Sequence, residues 1–318
     1  WNVGLDFSVL NNRVYGSLNY FNRRQQDLLG NYKVSVPPFL FDETYVNVGT
    51  MRNSGFEFDI SFNAVDTKNF SYNFNVIGTA MSNKFVDFSN SQYIGQDYYN
   101  MCGTEDPYPF YNLQRIQKGE SLGNFFMWRY AGITSDGDWL VYDREGDIIR
   151  ASQATEDDRC IVGNGMPKFT MSTTHNFRYR NFDLSLFFRG AFGFDIFNIH
   201  DFYYGTRNFS GNVLKKAYGK NFDISPDANP VVSDYFLERG DYLKLDQITL
   251  GYTLNVPQAR FMNKLRVYGT LKNVFTITRF SGVDPSTYQV NGLTPGAQGG
   301  RTYYPTTRQF IVGVQLDF

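Results

Sequence analysis

The stretch that decides the fold is Arg308 to Phe318, RQFIVGVQLDF. In an extended strand successive side chains point to opposite faces. Phe310, Val312, Val314, Leu316 and Phe318 therefore share one face, and Gln309, Ile311, Gly313, Gln315 and Asp317 share the other. One face is apolar and the other mostly polar. The same period of two recurs upstream. Val3, Leu5, Phe7 and Val9 oppose Asn2, Gly4, Asp6 and Ser8. After a turn at Asn11-Asn12, where Asn tolerates positive φ, Val14, Gly16, Leu18 and Tyr20 continue the dry face.

Further segments follow the same rule. Phe56, Phe58, Ile60 and Phe62 return through 66–69 into Phe70, Tyr72, Phe74 and Val76. Phe169 to Tyr179 turns at Arg180-Asn181 into Phe182, Leu184, Leu186 and Phe188. Strands over about 240–254 and 265–280 precede the terminal one. The count is about nine long strands. Short turns at 11–12, 66–69, 180–181 and 255–264 alternate with long loops at about 22–44, 89–166, 198–238 and 281–307, with one helical turn expected in the last short connection. A local hairpin is expected around Phe125 to Tyr142 inside the longest loop.

Composition supports a wet-and-dry sheet. Aromatics are 18% of 318 residues, with 31 Phe and 23 Tyr against 3 Trp, yet the mean hydropathy is only −0.39. A net charge of −1 does not suit a nucleic-acid binder, which carries a basic stripe. No run of about 18 apolar residues is present, so no transmembrane helix is expected. A soluble β-sandwich also alternates, but its strands are shorter and its loops do not sort by length. Long strands with short turns at one end and long loops at the other are the layout of an outer-membrane β-barrel. The parity of the connections puts the end of the terminal strand on the periplasmic side. The opening WNVGLDFSVL reads as the middle of a strand rather than a signal peptide, and nine strands are too few to close a wide barrel. The expectation is all-β: about nine of a presumed 22 antiparallel strands, the remainder lying outside this sequence.

The sequence resembles the C-terminal part of SusC/RagA-type TonB-dependent outer-membrane transporters of Bacteroidetes. The resemblance rests on NVGTMRNSGFEFDI (Asn47 to Ile60), GNGMPKF (Gly163 to Phe169), FRYRNFDLSLFFRGAFGFDIFN (Phe177 to Asn198), LERGDYLKLDQITLGYTL (Leu237 to Leu254), LRVYGTLKNVFTITRFSGVDP (Leu265 to Pro285) and the YPTTRQFIVGVQLDF ending. It implies a larger protein with an N-terminal domain, a plug and the first barrel strands. It also implies energising by a TonB–ExbB–ExbD complex, a SusD-like surface lipoprotein as partner, and import of a glycan or, in some members, a peptide. Phe310, Val312, Val314, Leu316 and Phe318 resemble the signal read by the outer-membrane assembly machinery. Family members often carry a calcium-like acidic loop. The matching residues here are Asp143, Glu145 and Asp147, but Ile148 stands where the turn glycine is expected, which favours a solvated acidic loop with no cofactor.

A wet lumen would be lined by Asp6, Arg13, Glu57, Asp59, Arg178, Asp183, Arg189, Arg266 and Lys272. Among loop aromatics, Tyr98, Tyr99, Tyr108, Tyr111, Phe202, Tyr203 and Tyr204 are candidates to stack on substrate, with packing of the loops as the competing role. Outward Tyr20, Phe62, Tyr179 and Tyr252 suit interfacial girdles. Cys102 and Cys160 fall in one loop and are a candidate disulfide. A passive porin and a surface-adhesion barrel are the alternative functions. An enzyme is not expected, because His175 falls on the lipid-facing register and His200 in a loop, neither beside an obvious nucleophile.

Overall fold

The computed structural model describes residues 1–34, 36–88, 97–255, 263–288, 292–297 and 306–317, with only the backbone given for 31–33. Nine strands form one antiparallel sheet: β1 (Asn2–Val9), β2 (Val14–Lys33), β3 (Glu43–Asp66), β4 (Phe70–Asp87), β5 (Phe169–Tyr179), β6 (Phe182–Phe192), β7 (Tyr242–Asn255), β8 (Lys264–Thr278) and β9 (Gln309–Asp317). Their order in the sheet is their order in the chain. Every strand thus pairs with the next one along, the up-and-down wiring of a barrel wall. The wall is open: β1 and β9 do not pair with each other.

Register keeps the two faces separate across the wall. Leu5 lies opposite Leu18, Leu18 opposite Phe58, and Leu184 opposite Leu250. Val267 opposes Val314 and Leu271 opposes Phe310. A slip of one residue anywhere would move a whole strand's apolar set to the wet side. Phe310, Val312, Val314 and Leu316 are all exposed on the apolar face of β9; Phe318, the last residue of the expected assembly signal, lies outside the described residues.

Two aromatic rows mark the edges of the apolar face. One, near the short turns, contains Tyr179, Phe182 and Tyr252, with the last two rings 4.7 Å apart. The other contains Tyr20, Phe56, Phe169 and Phe192, which follow one another through the register. Phe169 and Tyr179 stand at the two ends of β5. At the usual strand rise they are about 33 Å apart, or about 25 Å along the membrane normal at a tilt near 40°. That matches the apolar band of an outer-membrane barrel. Of the expected girdle residues, Phe62 falls in neither row: it stacks at 4.5 Å on Phe74, which pairs with His175, four residues from Tyr179.

The loop expected over 22–44 is corrected. Residues Asn22 to Lys33 continue β2 and pair with Glu43 to Ser54 of β3, leaving a connection of only 34–42. This part of the hairpin extends beyond the lipid-facing band, where the outward face need not be apolar, and its Leu28, Val46, Val48 and Met51 pack against Phe85, Phe88, Ile116 and Leu122. Its polarity therefore carries no information against a strand. The turn at Asn11-Asn12 is also wider than expected, with Leu10, Asn11 and Asn12 all at positive φ. The helical turn expected over 255–264 falls largely outside the described residues.

The long loops are folded. Residues 98–164 build a four-stranded sheet in the order Cys160–Asn164, Asn124–Met127, Asn112–Gln117, Tyr98–Gly103. A second, three-stranded sheet has the order Ile148–Arg150, Trp139–Tyr142, Arg129–Ile133. The hairpin expected around Phe125 to Tyr142 is narrower, joining Arg129–Ile133 to Trp139–Tyr142, because Asn124–Met127 pairs elsewhere. Phe197, Phe202, Tyr203 and Phe236 from the next loop pack with Leu113, Phe125, Met127 and Trp139 into one buried core.

The wall yields a direct test. Leu186 lies level with the middle of the band and faces lipid; Ser185 faces the lumen. Leu186→Arg should cost about 2–4 kcal/mol of stability in bilayers, and Ser185→Arg much less, measured by denaturant unfolding from lipid vesicles. Equal costs would show that the faces are misassigned.

Candidate functional site

Outside the wall and its short turns the chain gathers at the loop end, and three devices hold that end rigid. Gly165 lies so close to Pro295 and Gly296 that a Cβ would overlap the Pro295 carbonyl, which explains the second glycine of GNGMPKF. The same strap is held by Gln114, whose Nε2 donates to the Pro295 carbonyl at 2.7 Å, and by Phe197 N–H donating to the Gly296 carbonyl at 3.0 Å. The third device is an ion pair. Lys244 of β7 meets Asp284 at 3.2 Å, with side chains only 2% and 6% exposed. Asp284 also accepts from Thr306 Oγ1 and from Ser286 N–H. Burial alone would raise its pKa; those hydrogen bonds and the Lys244 charge overrule burial and hold it below the usual carboxylate range.

The loop aromatics separate by burial. Phe202 and Tyr203 are completely buried, and Tyr108 nearly so. Tyr203 stacks on Tyr108 at 5.7 Å, and its hydroxyl donates to the Glu105 carbonyl. These three rings have no face left for a ligand, so their expected place against substrate is replaced by a place in the core. Tyr99 packs edge-on to Phe88 at 5.2 Å, and Tyr204 packs on the main core and edge-on to Phe209. Tyr98 and Tyr111 differ. They border an open cavity of about 370 Å³, together with Asn100, Arg115, Asp157 and Arg159.

That cavity lies on the face of the four-stranded sheet that carries Tyr98, Asn100 and Arg115. The Arg115 guanidinium carbon lies over two rings, 4.0 Å from the centroid of Tyr98 and 3.5 Å from that of Phe126. Its Nε donates to Asn100 Oδ1 at 3.0 Å. Arg159 is the buried member: it pairs with Glu156 at 2.9 Å and donates to the Asn112 and Phe126 carbonyls. Burial lowers the pKa of both guanidinium groups from the ordinary value.

On the wall's wet face, Arg189 pairs with Asp246 at 2.7 Å and Arg266 pairs with Asp183. Asp6, Arg13, Glu57, Asp59, Arg178 and Lys272 are exposed. A second cavity, of about 690 Å³, lies towards the loop end of this face and is lined by Phe21, Arg23, Met51, Asn53, Glu57 and Asn83, among others.

The candidate disulfide is overturned. Cys102 and Cys160 are free thiols. They occupy opposite edge strands of the four-stranded sheet, about 14 Å apart at normal strand spacing, beyond the reach of a disulfide. Burial pushes the Cys102 thiol up to about 12 and raises Cys160 as well. In the acidic loop, Asp143 is turned inward. Its Oδ1 accepts the N–H groups of Gly146 and Asp147, both at 2.8 Å, and so caps a hairpin turn. Glu145 and Asp147 point to solvent. The turn glycine, Gly146 at φ 95, comes two places earlier than a calcium loop needs. Among the described residues no group of three His, Cys, Asp or Glu side chains is arranged to hold a metal. His175 bonds to Tyr72 Oη at 2.9 Å and to Thr173 Oγ1 at 3.2 Å, and burial lowers the pKa of His200.

No family model matches the sequence. It is similar over 339 residues, at 27% identity, to TonB-dependent receptor SusC of Bacteroides thetaiotaomicron, covering 100% of this chain and 31% of that protein. TonB-dependent receptor P3 of Formosa agariphila is 26% identical over 348 residues, covering 99% of this chain and 33% of the relative. The chain thus spans about a third of the length of these relatives. Among solved structures, the RagAB peptide transporter superposes with a TM-score of 0.78 at 21% identity, over 100% of this chain and 35% of that one. The RagAB peptide importer in its open-open state gives the same score over 34% of its chain. The nine strands are therefore similar along their whole length to TonB-dependent receptors, and their fold matches that of the RagAB transporter.

Two outcomes follow from this geometry. A maleimide at pH 7.5 should label Cys160 well before Cys102, since the buried thiol holds almost no thiolate there. Peptide maps with and without reductant should coincide; a linked Cys102–Cys160 peptide would contradict the placement. Asp284→Asn should weaken the loop end by about 3–5 kcal/mol by stranding Lys244, while the Lys244→Met, Asp284→Leu double variant should recover most of it. Limited proteolysis of residues 281–307 reads both.

Proposed function

We propose that this chain, an outer-membrane barrel portion of the SusC/RagA type, belongs to a TonB-dependent importer of an oligosaccharide or peptide. The observation that carries this reading is whole-length homology to TonB-dependent receptors in a chain whose sheet is a lipid-faced wall with a folded loop end. The wall's wet face supplies charged, solvated side chains along the route. The loop end supplies a preorganised surface on which a substrate is captured before entry. A passive pore has less use for a loop end braced by a buried ion pair and close backbone packing.

The import reading entails two partners. A SusD-like lipoprotein covers the loop end, and a TonB–ExbB–ExbD complex energises release from below. Tyr98 and Tyr111, the two candidate rings that border a cavity, are the substrate-facing aromatics of this set. Phe310, Val312, Val314 and Leu316, with the chain's last residue, form the strand read during assembly.

Uptake of the substrate by cells carrying the complete receptor should stop when TonB is removed, and the receptor should co-purify with a surface lipoprotein. Uptake that continues at the same rate without TonB would establish passive diffusion instead.

A further inference from the structure

We propose that the cavity bordered by Tyr98, Asn100, Tyr111, Arg115 and Asp157 is a carboxylate-binding site, with the Arg115 guanidinium as the receiving group. The proposal deepens the import reading, since it takes the loop end as the face that meets substrate. Arg115 is oriented by three contacts that use none of its terminal nitrogens. The Tyr98 and Phe126 rings fix its plane, and the bond from Nε to Asn100 fixes its rotation within that plane. Both Nη groups have no protein acceptor among the described residues. Stacking and anchoring leave the forked end of a planar cation at the cavity, the arrangement that receives two carboxylate oxygens side by side.

The neighbouring arginine shows the contrast. Arg159 spends its terminal nitrogens on Glu156 and on two backbone carbonyls. It is a fastening of the sheet, and it occupies Glu156, so that carboxylate is not spare for Arg115. Asp157 borders the same cavity with no hydrogen-bond partner among the described residues. Its negative charge disfavours a dianion such as phosphate and leaves a singly charged carboxylate as the better match. The exposed Tyr98 ring and Tyr111 give the rest of the ligand a surface to lie on, and about 370 Å³ holds one sugar ring or one amino-acid residue. A carboxylate reaches such a site from either of two sources, a uronic-acid sugar or an acidic or C-terminal peptide residue.

The experiment is calorimetric binding to the full-length receptor in detergent. The probes are a uronate trisaccharide and its methyl ester, and a tripeptide with a free C-terminus and its C-terminal amide. In at least one pair the free acid should bind about tenfold tighter than its neutral form, the worth of one charge-assisted fork. Which pair shows the difference names the source. Arg115→Gln should abolish the preference, and Arg115→Lys should retain only part of it, since a point charge replaces the fork. Lys118→Gln, a surface change outside the cavity, should leave it intact. The proposal is overturned if both acids bind like their neutral forms on the unaltered receptor, a comparison that needs no variant to fold. It is also overturned if the preference survives both Arg115 changes, or if Arg115→Gln leaves probe binding intact and instead releases the lipoprotein. Transport plays no part in this readout. Loss of TonB dependence would sink the import reading without touching the carboxylate site, and the reverse also holds.

Discussion

Every backbone N–H and C=O that enters hydrocarbon must find its partner within the protein, because lipid offers none. The nine-stranded wall is a direct answer to that constraint. Strands pair only with their neighbours in sequence, so each hairpin satisfies its own backbone and presents the next free edge. Side chains then have only to sort themselves across a sheet one residue thick, and the continuous register from Leu5 through Leu18 to Phe58 does so. The aromatic rows set about 25 Å apart along the normal fix how deep the wall sits. Beyond them the strands are released from the constraint, and β2 and β3 run on as a hairpin whose Leu28, Val46, Val48 and Met51 pack against Phe85, Ile116 and Leu122.

The loop end obeys different physics. It is not solvated by lipid, and it folds as a small globular layer with its own aromatic core and its own sheets. Cores of this kind are made stable by burial and made specific by the few polar groups that must be satisfied inside them. Lys244–Asp284 and the Gln114 amide are such groups, and they tie the last connection to the first sheet and to the wall. The result is a rigid platform, on which the clamped guanidinium of Arg115 is one outcome. A side chain held by two rings and one hydrogen bond loses little freedom when a ligand arrives, so more of the contact energy remains for binding.

The departures from the sequence-based expectations share one cause. Asn22 to Lys33 looked like a loop because polarity was read as solvent exposure without a strand partner, and the partner lies in Glu43 to Ser54. Phe202 and Tyr203 looked like ligand platforms because aromatic residues in a polar loop suggest recognition, whereas here they are the core of the loop itself. Cys102 and Cys160 looked pairable because they share one loop, yet a sheet separates them by three strand spacings. In each case the deciding contact is one that residue type and neighbouring residues do not specify.

What the sequence determined by itself is the wall: nine strands, the lipid-facing and lumen-facing sets, and which end carries the turns. Period-two alternation is a local signal, repeated strand after strand, and one apolar face in lipid leaves it a single solution. What only the tertiary structure decided is the loop end. Its short strands carry no long alternation, and its contacts join residues far apart in the chain, Tyr203 to Glu105 and Gln114 to Pro295 among them. Even Asn100 and Tyr98 meet Arg115 only through the pairing of two short strands. The terminal strand that began the reading belongs wholly to the first kind: its lipid face followed from eleven residues, because a bilayer leaves an alternating strand so little choice.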